Sequence, residues 1–308
     1  MNSVFQKFYK GLYMRTGGFI PSKPLGQNIY PGDFFQIKDG EMIVLGNIFR
    51  QGIVDADNCN LGYGIKLNPA NWNFKEGVTK PYSGRGTGSN AIEGAFEYSK
   101  QVLEFKQPGS YMFKGVSPEA VKIANWSEIK DELIIKLTQT FYSFRELYLV
   151  TECATTESWT LAIASHKRAE LEIVTEDENS GLVDIFGHSS SKTIQSKNIE
   201  FYHREENRIP TFFKAKKLVV QQEKLETFIS ELISNRMNQY EWANDYFDYD
   251  FYEGRSSYSP RYNDNIQASV LDMLQANQLN PNTALLYFQW ADLNLDDIQK
   301  LFIIYEKD

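Results

Sequence analysis

The residues of this 308-residue chain most able to do chemistry are few, and none falls into a catalytic pattern. Gly84-Arg85-Gly86-Thr87-Gly88-Ser89 has the glycine density of a turn that lets backbone N–H groups approach a phosphate. A phosphate loop also needs a Gly-Lys-Ser/Thr ending and a strand-turn-helix frame; both are missing, so the stretch reads as a flexible loop. His166, His188 and His203 share no HExxH-like spacing and have no cysteine beside them, which leaves them as solvated loop residues and gives no metal site. Glu205-Glu206 and Asp296-Asp297 are adjacent pairs, whereas acid/base catalysis needs opposed carboxylates in a cleft. They read as surface charge. Ser189-Ser190-Ser191 lacks a nucleophile elbow, and Cys153 sits in an expected strand as an inert thiol. The reading is therefore no catalytic residue, no cofactor and no enzyme; an enzyme would need a site assembled only in the fold.

One cluster points elsewhere. Lys214, Lys216 and Lys217 lie at the end of an expected strand, where they could touch anionic lipid or an acidic segment of the same chain. The charge distribution supplies such a segment. Residues 1–240 hold 28 basic and 28 acidic side chains, while residues 241–308 hold 4 and 12, so the whole net charge of −8 sits in the C-terminal part. A neutral body is a poor nucleic-acid binder. An acidic tail is a solvated face, an interaction segment or a cover for a basic surface on its own body.

The elements that would position these residues are mostly strands. Val4, Phe5, Phe8, Tyr9 and Leu12 have helical spacing and stop at Gly17-Gly18. Phe34–Ile37 and Met42–Leu45 flank Asp39-Gly40, the pattern of a hairpin turn with positive φ. Residues 55–90, rich in Asn, Gly, Pro and Ser, show no sustained period and read as long loops with a brief strand. Ser117-Pro118-Glu119 reads as the cap of a helix running to Leu137. Strands at 146–153, 159–165 and 169–174 read as an antiparallel meander, with two more at 193–202 and 211–220 and a helix over 224–240. The stretch from Asp245 to Asn263, alternating acid and aromatic residues, reads as a linker, with short helices beyond it at 266–276, from Pro281 to Trp290, and from Leu295 to Tyr305. The fold class is α+β: a twisted, mostly antiparallel sheet with flanking helices and a short helical tail. The division is a body over 1–240, an acidic aromatic linker over 241–264 and a tail over 265–308.

No apolar run reaches the roughly 18 residues of a spanning helix, and residues 1–12 lack a signal-peptide core. Cys59 and Cys153 have no disulfide or zinc spacing, which fits a reducing compartment and a cytoplasmic start.

Ile29-Tyr-Pro-Gly-Asp-Phe-Phe-Gln-Ile-Lys-Asp-Gly with the following Val44-Leu-Gly-Asn-Ile-Phe, then Glu146-Leu-Tyr-Leu-Val-Thr-Glu-Cys and Thr211-Phe-Phe-Lys-Ala-Lys-Lys-Leu, resembles the strands of bacterial gasdermins over roughly residues 1–220. The resemblance implies a pore-forming body kept inactive by a C-terminal segment, an activating protease, and self-oligomerisation in membrane lipid after the cut, as in bacterial defence or regulated cell death. Arg255 and Arg261 are then candidate cut sites for a basic-directed protease, Asp248 and Asp250 for an acid-directed one. Leu285, Leu286, Phe288, Trp290, Leu301 and Phe302 are the expected tail-to-body contacts. The best expected lipid-facing region is Tyr148–Val174, because spanning strands alternate over about 9–11 residues. The sequence departs from that family in having no cysteine before Cys59 and in its longer tail. The other reading of the same residues is a non-catalytic scaffold that recruits a partner through its tyrosine-rich acidic tail.

Overall fold

The apolar stripe at the start of the chain forms helix α1 (Ser3–Thr16), with Phe8 and Leu12 fully buried. It ends where Gly17 and Gly18 take φ of +71° and +115° and the Gly18 N–H reaches back to the Tyr13 carbonyl. The computed structural model describes residues 3–90, 94–138, 147–175, 185–224, 227 and 281–303. Over these the chain is mostly antiparallel strand with a few helices.

The strands are β1 (Ile20–Pro21), β2 (Asp33–Lys38), β3 (Glu41–Asn47), β4 (Leu61–Lys66), β5 (Asn73–Glu76), β6 (Val78–Asn90), β7 (Gly94–Phe105), β8 (Tyr111–Val116) and β9 (Glu119–Ile123). Helix α2 (Trp126–Thr138) follows, then β10 (Leu147–Thr155), β11 (Ser158–Ala164), β12 (Ala169–Thr175), β13 (Lys192–Lys197), β14 (Ile199–Glu205) and β15 (Phe212–Val220). Beyond residue 280 come α3 (Pro281–Tyr287), β16 (Phe288–Asp292) and α4 (Leu295–Lys300). The largest sheet runs β1-β15-β10-β2-β3, with β16 added on β15 and β9 and β4 added beside β10. Two four-stranded sheets, β14-β11-β8-β5 and β13-β12-β7-β6, complete the architecture. The α+β class read from the sequence holds.

Several expectations change. The 55–90 stretch holds β4, β5 and the 13-residue β6. Its period was hidden because β6 alternates glycine with polar residues. Ser117 sits at φ +48°, incompatible with the extended backbone of an N-cap, and residues 119–123 form β9, hydrogen-bonded on both sides; the helix begins at Trp126. The strands β10, β11 and β12 exist where expected but do not form a meander. Each pairs elsewhere, β10 with β15, β2 and β9, β11 with β8 and β14, and β12 with β7 and β13. The expected strand over 193–202 breaks at Asn198, φ +58°, into β13 and β14 of different sheets. The helix expected from Pro281 to Trp290 stops at Tyr287, and β16 takes its end. Apart from residues 224 and 227, the helices over 224–240 and 266–276 and the 245–263 linker lie outside the described residues. The Asp39-Gly40 turn has φ of +53° and +76°, the type I′ geometry its sequence implies.

An aromatic layer of Phe8, Trp72, Phe74, Tyr111, Phe113 and Phe212 fills the space under α1. Tyr111 leans so close to α1 that its hydroxyl occupies the place a Cβ on residue 11 would need, which only glycine permits.

Candidate interaction site

Strand β15 carries all three lysines of the basic cluster. It pairs with β10 along one edge, and its other edge is shared between β1, at Phe212–Phe213, and β16, at Lys216–Val220. Strand alternation sends Lys214 and Lys216 to one face and Lys217 to the other. Lys214 stays within the body, 3.5 Å from Glu152 and 4.4 Å over the Phe19 ring. Lys216 lies directly across from Asp292 of β16 and pairs with it at 2.5 Å. Lys217 reaches Asp297 at 2.9 Å.

Asp297 is the centre of the junction. Its side chain is fully buried and accepts from the Tyr148 hydroxyl at 2.9 Å and from Lys217, with Lys300 3.6 Å away. It also accepts the Asn294 N–H at 2.9 Å, while the Asn294 side chain accepts from Asp296 and Asp297 N–H groups. This capping box fixes the start of α4. The sequence reading of Asp296-Asp297 as surface charge is thus wrong for Asp297: a buried carboxylate is tolerable only because two cations and three hydrogen bonds surround it.

The remainder of the segment is held apolar face inward. Ala284, Tyr287, Phe288, Leu293, Ile298 and Leu301 are buried, each large side chain contributing about 1.5–3 kcal/mol by leaving water. The Trp290 indole donates to the Lys130 carbonyl at 3.0 Å and meets the Trp126 ring edge-on at 5.4 Å. Phe302 packs edge-on against Tyr9 at 5.0 Å, and the Tyr13 hydroxyl donates to the Leu293 carbonyl at 3.1 Å. Lys23 closes the far end, donating to the carbonyls of Gly40 and Leu301 while lying 4.7 Å over the Phe302 ring. Burial pulls the Lys23 ammonium below its usual range against the opposing pull of Glu41. Gly40 is required twice here, by its positive φ and because a Cβ would sit 2.7 Å from the Ile303 carbonyl.

Of the six tail residues singled out in the sequence, Phe288 and Leu301 are buried, Trp290 and Phe302 are partly buried against the body, and Leu285 and Leu286 are instead 38% and 47% exposed. Arg255, Arg261, Asp248 and Asp250 lie outside the described residues. Sequence reasoning missed Asp297, Tyr148 and Lys23. The Asn294-to-Asp297 capping spacing was the one available signal for the first.

The second feature is the β6–β7 hairpin, the longest pair of strands in the fold at 13 and 12 residues. Cross-strand partners share a face. On one face Tyr82 opposes Val102, Gly84 opposes Lys100 and Gly86 opposes Tyr98; on the other Ser83 opposes Gln101 and Arg85 opposes Ser99. The first face is turned outward, with Tyr82 48% exposed. The second is buried only along β7: Ser99 and Gln101 are buried and the Gln101 Oε1 has no hydrogen-bond partner, while Ser83 and Arg85 opposite them on β6 are exposed. The Gly84-to-Gly88 motif is therefore strand. A Cβ at 84 or 86 would meet the Tyr82 hydroxyl at 2.7 Å or the Tyr98 ring at 2.5 Å, so these glycines make room for tyrosines that lie along the strand.

Tyr148–Val174, expected to face lipid, is spread over three sheets with β10 and β11 almost wholly buried. It could not leave as a hairpin without dismantling the core. His188 contacts its near neighbour Ser190 at 2.9 Å and His166 contacts Ser165 at 2.9 Å, pairs within two residues in exposed turns. Among the described residues no group of His, Cys, Asp and Glu could hold a metal ion. A cleft of about 420 Å³ opens beside α1, lined by Lys7, Lys10, Arg15, Lys75, Phe74 and Tyr111. No helix among the described residues is long and apolar enough to cross a membrane.

No protein-family model and no curated protein matches the chain. Among solved structures it is similar to the membrane pore of mouse Gasdermin A3, at 11% identity over 70% of this chain and 90% of that one, with a TM-score of 0.29. It is also similar to a bacterial gasdermin from Bradyrhizobium tropiciagri, at 10% identity over 69% of this chain and 86% of that one, with a TM-score of 0.27.

Proposed function

We propose that this chain is a pore-forming protein held inactive by its C-terminal segment, freed by a protease that cuts within residues 241–264, and then assembled with further copies of itself in a membrane. The observation that carries the reading is the β6–β7 hairpin. Its strands exceed the about 9–11 residues that cross a bilayer, and over residues 82–86 and 98–102 one face carries glycine and tyrosine and the other serine, glutamine and arginine. In the closed molecule the β7 half of the polar face is buried, with the Gln101 amide oxygen left unpaired at a cost of about 1–3 kcal/mol, while its β6 half is exposed. In a barrel wall that face would line water, and the tyrosine face would meet lipid. Lys100 interrupts the tyrosine face, where Glu172 pairs with it at 2.7 Å. Strand edges cannot stay open in hydrocarbon, so the free edges of β6 and β13 must be closed by neighbouring copies.

The segment over 281–303 supports the second half of the reading, because it adds a strand to β15 and seats a carboxylate on Lys217. Arg255, Arg261, Asp248 and Asp250 are the cut positions this reading offers. The membrane is its destination after the cut and the cytoplasm its place before it; the chain works without catalysis, cofactor or nucleic acid.

The test is dye leakage from anionic liposomes with a chain whose residues 254–259 are replaced by a protease site. Leakage confined to the cut protein is the expected result. A cut, folded protein that leaves the vesicles sealed would sink the reading and favour a partner-recruiting module.

A further inference from the structure

We propose that the groove formed by the β16-bearing edge of β15, helix α2, Tyr148 and Lys23 is a peptide-recognition site, and that the 281–303 segment of a second copy of this chain can fill it in trans. Every contact that seats the segment is made by the segment itself. The ladder from Lys216–Asp292 to Val220–Phe288 needs only a strand of that sequence laid antiparallel on β15, the recurring mode of strand addition. The Asp292–Lys216 and Asp297–Lys217 pairs fix its register by charge, because a slip of one residue would turn both carboxylates to the wrong faces. Trp290 on the Lys130 carbonyl and Phe302 under Lys23 anchor its two ends.

The chain's connectivity does not reserve this groove for its own tail. The Lys224 ammonium donates to the Leu286 carbonyl at 3.0 Å and the Gln221 N–H to the Tyr287 carbonyl at 2.8 Å, so the two ends of the intervening sequence lie side by side. Fifty-six residues separate Lys224 from Pro281, and at about 3.3 Å per residue such a length can span well over 100 Å. A gap of a few ångströms therefore sets no limit on which copy supplies the segment, and exchange between copies becomes a matter of concentration. The docking stands on these contacts alone; only its consequence, that one copy can silence another, rests on the pore-forming reading.

Full-length chains in a Cys59→Ser background, Cys153 being buried, provide the test. Val219 and Gln289 face one another across β15 and β16. A chain carrying both V219C and Q289C, treated with a short bis-maleimide, should crosslink within itself. A mixture of chains carrying V219C alone and Q289C alone should give a covalent dimer whose yield rises with concentration. Adding D297N to the chain that supplies the segment should lower that yield about tenfold, since it strips the charge from a buried pair. Internal crosslinking without any mixed dimer across the concentration range would overturn exchange. Absence of the internal crosslink would overturn the seat itself. A vesicle that still leaks on cutting in either case would leave the pore-forming reading intact.

Discussion

The two flanks of this molecule are held by opposite means. Where β16 and α4 meet β15, side chains do the holding: a fully buried carboxylate between two lysines and a tyrosine, six buried apolar residues, and an indole bonded across to α2. At β6–β7 the base of the hairpin is held by Val78, Leu103 and Phe105 in the core, and the rest by backbone pairing. Among the described residues β6 pairs with β7 alone, one face of the hairpin carries glycine and tyrosine, and on the other the buried Gln101 Oε1 of β7 is left unsatisfied. The contrast separates a segment docked in one register from a hairpin that, under the proposed function, would keep its β6–β7 ladder and give up the β7–β12 ladder. The hairpin would keep its internal ladder on leaving, whereas the segment would lose all of its own.

The largest effect should come from the first flank. Asp297→Ala leaves Lys217 and the Tyr148 hydroxyl without their acceptor in a dry site, a loss of about 3–5 kcal/mol. Uncut D297A protein should therefore leak dye from vesicles; D297A protein that stays silent until cut would mean the charge seat is not what holds the segment.

A smaller effect separates the faces of the second flank. Tyr82→Lys places a charge on the outward tyrosine face at about 2–4 kcal/mol in lipid, while Ser83→Lys puts the same charge on the opposite face. Tyr82 is exposed in the closed protein, so Y82K should melt like the parent yet lose leakage after cutting. S83K should keep leakage, and equal loss in both would erase the distinction between the faces.

The least effect is a control away from both flanks. Burial holds the Asp33 carboxyl above its ordinary value of 3.8, although Asn47 and the Tyr30 N–H both donate to it. The folded chain binds that proton more tightly than the unfolded one, so this group's contribution to stability falls as pH rises from about 3.8 through the raised value. Asp33→Asn should flatten that slope in denaturant titrations without changing leakage at neutral pH. A slope unchanged by D33N would remove the assignment.

How much of this could be read beforehand differs between the flanks for a physical reason. The first hairpin was legible because it rests on a local signal, an Asp-Gly pair between apolar runs. The β6–β7 hairpin was illegible because period-2 reasoning looks for apolar residues on one face, and this face is built from glycines with tyrosines supplied partly by the neighbouring strand. For Asp297 the capping spacing from Asn294 marks the helix start, but nothing local tells that this carboxylate finds a lysine 80 residues away in sequence. Residues 119–123 misled because a proline after a possible cap suggests a helix, and two flanking strands outweighed that preference.

The order of the chain adds a matter of timing. Strand β15 ends at residue 220 and its cover begins at 281, so during synthesis the body is complete before the segment that closes it exists. At the usual 5–20 residues per second the ribosome takes roughly 3–12 s to add that stretch. Each newborn molecule thus passes through an uncovered interval, tethered and alone. Under the proposed function, an assembly that needs many copies at one membrane cannot start from a single nascent chain, so the delay would be harmless as long as translation finishes before neighbours meet.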